Sequence, residues 1–487
     1  MQQAFTAAIE DRCDDVLAVI PAAAARRSFA GYPQFVRRAA HQHAKDCYFE
    51  SEDFESYVYF LQSLAESGGD EVPLVLHELI WTSNAVGIPE VAVGAVKSLA
   101  EINAEELLDI DVYVYTNVQR LLLASENRSD MRYEFLKVLF DNNYYSPNLF
   151  LTADRLMLDY AAMAIDRGDT RDTKKIVMSL SEPRFILQVR IDKRFDAVRQ
   201  DPAVEKFLDL EAAADRHIAR LERAIEESPD YAFGHVLLSK ALIGTWRFED
   251  ALDVIESVAL RIREPNANQV FTDAEENKNW VLEQYATALS YVDYSEQSED
   301  MRTEALEVPE IHDINVNQRI NMAGSRVYDS RFDEALELLA GVDQTSANPF
   351  GYMWVQSTSV CAKALREDTQ DYSANLSYLT AHELENPTAL ARALLCADDI
   401  ETAARHLIKR IRNPDQRVRA LMYLHVAGED EHTERPHSHA AGEALSPGHT
   451  IEHRFDQMRS RADVLSAVEQ FGRIETVPLH KSIWNAY

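Results

Sequence analysis

The chain has 487 residues and a 46% hydrophobic content, and its acidic residues outnumber its basic ones by 32. This length exceeds what one compact core can hold, so we expect several domains or an extended array. With only 15 glycines, folds that need many tight turns or phosphate loops are disfavoured, and an all-α fold is predicted. A protein that binds nucleic acid or anionic membranes gathers Lys and Arg on one face, and this sequence shows no such cluster.

Residues 1–190 are predicted to form an N-terminal helical domain of degenerate helical hairpins. Gly68, Gly69 and Gly168 stand where helices should end, because glycine readily adopts the left-handed conformation of a helix C-cap. The predicted pairs are 33–49 with 52–66, 73–84 with 88–99, and 153–166 with 170–180.

Residues 191–212 are predicted to be a joint between two helical regions. Asp201 can cap the following helix, and Pro202 suits the first turn of that helix.

Residues 213–427 carry a repeated spacing of a bulky residue, a small one three positions later and a bulky one four positions after that. Alanine at the small position lets a partner helix approach closely. The pattern occurs at Phe248, Ala251 and Ile255, at Phe332, Ala335 and Leu339, and at Ile400, Ala403 and Leu407. The predicted pairs are 231–244 with 247–260, 314–328 with 331–342, 350–366 with 372–383, and 387–397 with 399–411, with a less regular stretch at 261–310.

Ala335 and Ala403 are 68 positions apart, which is twice the 34-residue period of the tetratricopeptide repeat (TPR). In this spacing the chain resembles TPR proteins, although His217, His235 and Trp246 depart from the usual residues of the family. The resemblance implies an all-α fold of antiparallel helical hairpins, stacked as a TPR-like α-solenoid. It also implies a concave surface that binds another protein or a peptide.

The helix predicted from about 314 buries an apolar stripe of Val316, Ile320, Ala323 and Val327. The resemblance implies that the neighbouring face lines the concave groove and that asparagine amides there hold a peptide backbone. The candidate peptide-binding residues are Asn317, Asn321 and Tyr328. An ordinary exposed polar face is the competing interpretation.

Two further segments follow residue 427. Residues 428–449 are predicted to form an acidic, His-bearing loop with no metal site, because its histidines have no fixed helical frame. Residues 450–487 are predicted to form a C-terminal helix and a tail that docks on the preceding helices, since the tail is rich in apolar residues that include Leu479, Ile483, Trp484 and Tyr487.

The four cysteines are far apart in the sequence and form no C-x-x-C pair. This arrangement predicts free thiols in a reducing compartment. The N-terminus resembles neither a signal peptide nor a membrane span, so a cytoplasmic location is expected.

Adjacent aspartates occur only at Asp14-Asp15 and Asp398-Asp399, without the third acid that a diphosphate site needs. No catalytic signature or phosphate-binding loop occurs, so no enzyme activity and no cofactor are predicted.

The sequence therefore predicts a non-catalytic helical-repeat protein, a scaffold or adaptor, that binds another protein or peptide. Its acidic exterior is expected to prefer basic or neutral segments. Two alternatives stay open at this stage. One is an effector-sensing regulatory protein with a pocket in the N-terminal helices, and the other is an all-helical enzyme with an unrecognised site.

Overall fold

A computed structural model describes residues 12–26, 29, 31–125, 127–308, 315–366, 372–427 and 447–483, and excludes the side chains of 447–449. The chain divides into two compact units, Met1–Ala164 and Ile165–Tyr487. The predicted domain boundaries at residues 190, 212 and 427 were drawn where the repeat pattern of the sequence changes. They stay a prediction.

The first unit consists of helices. They are α1 (Cys13–Ala24), α2 (Gln34–Glu50), α3 (Phe54–Ser67), α4 (Val72–Val86), α5 (Pro89–Ile102), α6 (Val112–Leu123), α7 (Ser129–Asp141) and α8 (Asp154–Asp166), the last of which contains the boundary between the units. Each helix from α1 to α6 packs on its successor, and α1 also packs on α3, α4 on α6 and α5 on α7.

The second unit begins with short helices and continues with hairpins. The helices before the hairpins are α9 (Thr173–Ser179), α10 (Pro183–Ile191), α11 (Asp196–Arg199), α12 (Pro202–Phe207) and α13 (Leu210–Glu227). The hairpin helices are α14 (Ala232–Gly244), α15 (Phe248–Ile262), α16 (Ala274–Tyr291), α17 (Ser295–Glu307), α18 (Val316–Tyr328), α19 (Phe332–Leu339), α20 (Pro349–Leu365), α21 (Ser373–Ala381), α22 (Pro387–Cys396) and α23 (Ile400–Arg412). The C-terminal elements are α24 (Arg417–Met422), β1 (Val426–Ala427), α25 (Pro447–Arg459), α26 (Ala462–Phe471) and β2 (Thr476–Val477).

The hairpins of the second unit stack in sequence order. The first helix of a hairpin packs on its own second helix and also on the first helix of the next hairpin, as α14 does on α15 and α16, and α20 does on α21 and α22. This order of contacts is the one that stacked helical repeats use to build a continuous core. The predicted fold class, all-α with antiparallel helical hairpins stacked in a TPR-like manner, is confirmed.

The small residues of the repeated pattern lie at helix–helix contacts. Ala251, Ala335 and Ala403 are each 0% exposed. At the first of these contacts the Ser239 hydroxyl donates to the Ala251 carbonyl oxygen at 3.0 Å, so the backbones of α14 and α15 approach closely.

Residues 261–310 are more regular than the sequence indicated. Helices α16 and α17 form a hairpin, and the Ser298 hydroxyl donates to the Ala286 carbonyl oxygen at 2.7 Å. Serine therefore occupies the close contact where the hairpins with Ala251, Ala335 and Ala403 have alanine, which concealed the repeat.

The single C-terminal helix predicted after residue 450 is two helices, α25 and α26. The first ends at Arg459, where the Ser460 hydroxyl donates to the Asp456 carbonyl oxygen at 2.7 Å. Arg461 has an extended conformation (ψ 138°) and starts the second helix. A side chain that satisfies a terminal carbonyl group ends the helix without glycine or proline.

The cysteines are paired, which corrects the expectation of free thiols. Cys13 is bonded to Cys47 and Cys361 to Cys396, so the chain has no free cysteine. The partners are 34 and 35 residues apart, close to one hairpin repeat, so the fold brings residues that are distant in sequence onto neighbouring helices. The predicted cytoplasmic location loses its argument from free thiols, because disulfides persist in oxidising compartments.

The C-terminal segment packs on several elements of the second unit. Strand β2 pairs with β1 in parallel, and an antiparallel bridge joins Asp192 to Gly472. Val477 and Leu479 are buried, and the Ile483 side chain lies against Gly244. The described part of the tail packs on these elements, while Trp484 and Tyr487 lie outside the described residues. The predicted loop at 428–449 also lies outside them, except for the backbone of 447–449.

Within the described ranges, no helix is both long and apolar enough to cross a membrane.

Candidate functional site

Helix α18 carries the candidate residues predicted from the sequence. The Asn315 carboxamide caps this helix by accepting from the Gln318 backbone N–H at 3.2 Å. Ala323 and Val327 are 0% exposed, and burying them fixes the rotation of the helix. As a result, Asn317 and Asn321, one turn apart, are exposed on the opposite side.

Tyr328, the third candidate, lies at the end of the same helix and is 39% exposed. Its hydroxyl donates to Glu452 Oε1 of α25 at 2.7 Å. Burial and the Glu452 carboxylate together raise the pKa of Tyr328, so the hydroxyl stays protonated. The structure thus places the two asparagines together and gives the tyrosine hydroxyl a partner within the chain.

Arg392 of α22 lies beside the asparagine-bearing side of α18. A methyl group at Gly324 would lie 4.0 Å from its Nη2 atom. Gly324 follows Asn321 by three residues, which puts the two on one side of the helix. The guanidinium also lies 5.9 Å from the centre of the Trp354 ring of α20, a cation–π distance. We call Asn317, Asn321, Gly324, Trp354 and Arg392 the α18–α22 face.

A second cation–aromatic pair occurs between the first helices of earlier hairpins. Lys240 Nζ of α14 lies 5.8 Å from the centre of the Trp280 ring of α16. Solvent reaches Lys240, yet burial lowers its pKa, and burial likewise raises the pKa of Glu283 against the influence of Arg302 and Lys240.

The sequence did not single out Trp354 or Arg392. A tryptophan on a helix with buried neighbours is ordinarily core, and an arginine among alanines and leucines carries no spacing that indicates a site. The available signal was the position of both residues on first helices of hairpins, the helices that the resemblance assigns to the groove.

The first unit contains a network of ionisable side chains between α2, α3 and α4. The Tyr57 hydroxyl donates to Glu78 Oε1 at 2.8 Å, His41 Nε2 lies 3.0 Å from Glu78 Oε2, and Lys45 Nζ lies 2.6 Å from Glu78 Oε1. Burial raises the pKa of Glu78, but the hydrogen bonds from His41, Lys45 and Tyr57 outweigh it and lower that pKa to about 2. The four groups satisfy one another, which is the arrangement of a structural network.

A cleft of about 410 Å³ also lies in the first unit. Its lining includes Ala25, Ser63, Glu66 and Ser67. This lining is polar and the cleft is open, whereas a regulatory protein that senses an apolar effector would need a closed apolar cavity.

No protein-family model matches the chain, and no curated protein sequence matches it. Among solved structures, the crystal structure of yeast Tom70 aligns with 89% of this chain and 98% of its own, at 12% identity and a TM-score of 0.22. So low a TM-score supports no conclusion about shared architecture or function.

Proposed function

We propose that this chain is a non-catalytic helical-repeat protein that binds another protein or a peptide on the α18–α22 face. The exposed pair Asn317 and Asn321 carries the proposal. Each carboxamide both donates and accepts hydrogen bonds, so two of them one turn apart can bind successive peptide groups of an extended chain. Trp354 and Arg392, next to them, offer an aromatic surface and a charge for side chains of the ligand.

The lack of a catalytic constellation on this face supports a binding role. In the described part of the face, the polar groups are carboxamides and a guanidinium. None of these is a nucleophile, and none is a general base at neutral pH. The ionisable network around Glu78 lies in the other unit, and its groups are already bonded to each other.

The proposal is tested by selecting peptides on the full chain from a random displayed library and measuring the affinity of a selected peptide. In the Asn317→Ala/Asn321→Ala variant we expect about thirtyfold weaker binding, because two side-chain hydrogen bonds worth about 1 kcal/mol each are lost. Trp354→Ala should weaken the same peptide further, since an aromatic contact is lost.

Ser257→Ala is the control, because Ser257 is an exposed residue on α15, the second helix of its hairpin. It should leave the affinity unchanged. Unchanged affinity in the double asparagine variant would show that the peptide binds elsewhere, and failure to select any peptide would argue against a peptide-binding function.

A further inference from the structure

Helix α25 lies across the stacked hairpins of the second unit. It packs on α18 and also on α22 and α23, although the hairpin of α20 and α21 stands between them in the stack. A repeat contacts only its neighbours, so a further hairpin at the end of the stack would contact α22 and α23 and not α18. Helix α25 is therefore bound along the side of the stack, as a separate helix would be.

One arginine makes the polar contacts of α25 with the end of α22. Arg454 Nη1 donates to the carbonyl oxygens of Leu395 at 3.0 Å and of Cys396 at 2.7 Å, and its Nε lies 3.0 Å from Asp398 Oδ1. Leu395 and Cys396 are the last two residues of α22. Carbonyl groups at a helix C-terminus lack partners within the helix and carry the negative end of its dipole, so this end of α22 attracts a cation.

The apolar contacts of α25 come from one stripe of the helix. Ile451 packs against a core cluster drawn from α18, α19, α20 and α22. The Phe455 ring lies edge-on to the Tyr423 ring at 5.0 Å between centroids, and Met458 is 0% exposed. Positions 451, 455 and 458 have the i, i+4, i+7 spacing of an amphipathic helix that binds in a groove.

Helix α25 is held less firmly than the helices of the hairpins. Helices α23 and α25 both have 13 residues, and six side chains of α23 are buried, whereas Met458 alone is buried among the described side chains of α25. Glu452 adds a hydrogen bond from Tyr328 and an exposed ion pair with Lys481, and exposed ion pairs contribute little. An element with few buried contacts opens at a lower free energy than the rest of the fold.

We propose that α25 occupies a binding surface for an amphipathic helix of a partner protein, and that the partner's helix displaces it. The partner's helix has apolar residues at i, i+4 and i+7 and an arginine at i+3, as α25 has from Ile451 to Met458. The net charge of −32 favours a cationic anchor over an anionic one. This surface lies at the ends of α18 and α22 and does not include Asn317 or Asn321, so it goes beyond the proposed function.

The probe is a fluorescein-labelled peptide of residues 447–461 in which His453→Glu and Gln457→Lys are joined by a lactam bridge. His453 and Gln457 are exposed, lie one turn apart on α25 and bond to each other. The bridge therefore fixes the helix without altering the stripe that binds, and it lowers the entropy that binding costs. Circular dichroism verifies that the free peptide is helical, and fluorescence anisotropy measures its affinity for the full chain.

In the wild-type chain α25 competes from within the molecule, so the peptide should bind weakly. Arg454→Ala in the full chain weakens the hold of α25, and the peptide, which keeps its arginine, should then bind about tenfold more tightly. Arg459→Ala is the matched control, because it removes the same charge from α25, and Arg459 pairs with Asp456 of the same helix. It should leave the affinity at the wild-type value.

Hydrogen exchange of the wild-type chain tests the displacement of α25 without a substitution. The slowest amides of residues 451–459 should exchange about tenfold faster than the slowest amides of α23, because α25 opens by itself. Equal exchange rates in the two helices would show that α25 is a fixed part of the core and would overturn the proposal.

The proposal is also wrong if the peptide binds the Arg454→Ala and Arg459→Ala chains equally, or if a peptide with Arg454→Ala binds as tightly as the one that keeps the arginine. The Asn317→Ala/Asn321→Ala variant should bind the lactam peptide as the wild type does. Loss of a library-selected peptide in that variant, with the lactam peptide unaffected, would separate the two surfaces.

Discussion

Small side chains at helix crossings set how closely the hairpins pack. The buried positions of Ala251, Ala335 and Ala403 were predictable from spacing alone, because only a small residue fits where two backbones approach. The serine contact at Ser298 was not predictable, since serine is common on exposed helix surfaces and its hydroxyl bond to Ala286 depends on the fold.

Ala251→Leu should lower the free energy of unfolding by about 1–3 kcal/mol, because added methyl groups force apart two close backbones. Chemical denaturation monitored by circular dichroism measures the change. Ala219→Leu is the control, at an exposed position of α13, and should be nearly neutral. Equal effects of the two substitutions would mean that Ala251 is not at a close contact.

His425 makes stability depend on pH near the C-terminal segment. Its Nδ1 atom accepts a hydrogen bond from the Glu475 backbone N–H at 3.1 Å. Burial lowers the pKa of His425 from 6.5 to about 4, against the influence of the Glu475 carbonyl and carboxylate groups. The folded state thus binds fewer protons than the unfolded state between these values. The stability contributed by neutral His425 is complete above pH 6.5 and is lost as the pH falls towards 4.

His425→Asn should make unfolding less pH-dependent between pH 6.5 and 4, because the asparagine oxygen can accept the same hydrogen bond and does not titrate. The slope of unfolding free energy against pH should fall by up to about 1.4 kcal/mol per pH unit. His217 and His406, whose pKa values burial also lowers to about 4, leave part of the dependence in place. An unchanged slope in the variant would contradict this role of His425.

The turns inside the hairpins repeat one geometry with different residues. Trp246, Asp293, Ser330 and Asp398 all have a positive φ between 61° and 65°. In each turn the next backbone N–H donates to the carbonyl group five residues earlier, as Arg247 does to Leu242 at 3.0 Å. None of these four positions is glycine, yet the helix ends at residues 244 and 328 agree with the predicted ones, because the repeat spacing located the turns.

Docking of the C-terminal segment can be tested one residue at a time. Val477 is 0% exposed in β2, and its neighbour Thr476 is exposed. Val477→Asp should lower the melting temperature by several degrees, because it buries a charge. Thr476→Asp is the matched control and should have little effect. A free recruiting tail would instead give two variants that melt like the wild type. Removal of Ile474–Tyr487 should also lower stability.

The two disulfides connect helices that the core also holds together. Under denaturing conditions without reductant, thiol titration should find no reactive thiol, and Cys361→Ser should expose one, that of Cys396. Reduction of either disulfide should lower the free energy of unfolding by about 2–4 kcal/mol, given the length of the loop that each one closes. Four reactive thiols in the protein as isolated under oxidising conditions would contradict the pairing and restore the argument for a reducing compartment.

The molecule as a whole carries a net charge of −32. Composition predicted the all-α class and the acidic surface, and the repeat spacing predicted the hairpins. The burial of single charged side chains such as Arg410 could not be predicted, because net charge is a sum over all residues, while burial depends on the fold.

Repulsion among the surface carboxylates should destabilise the folded chain at low ionic strength. Raising KCl from 0.05 to 0.5 M should therefore increase the melting temperature, measured by scanning calorimetry at pH 7. Simple screening predicts that the increase levels off near 1 M, where the Debye length is only about 3 Å. A continued rise at still higher salt would indicate a surface adapted to high salt, which is a second explanation for the excess of 32 acidic residues. A melting temperature that falls between 0.05 and 0.5 M would show that attractive ion pairs, and not repulsion, dominate the surface.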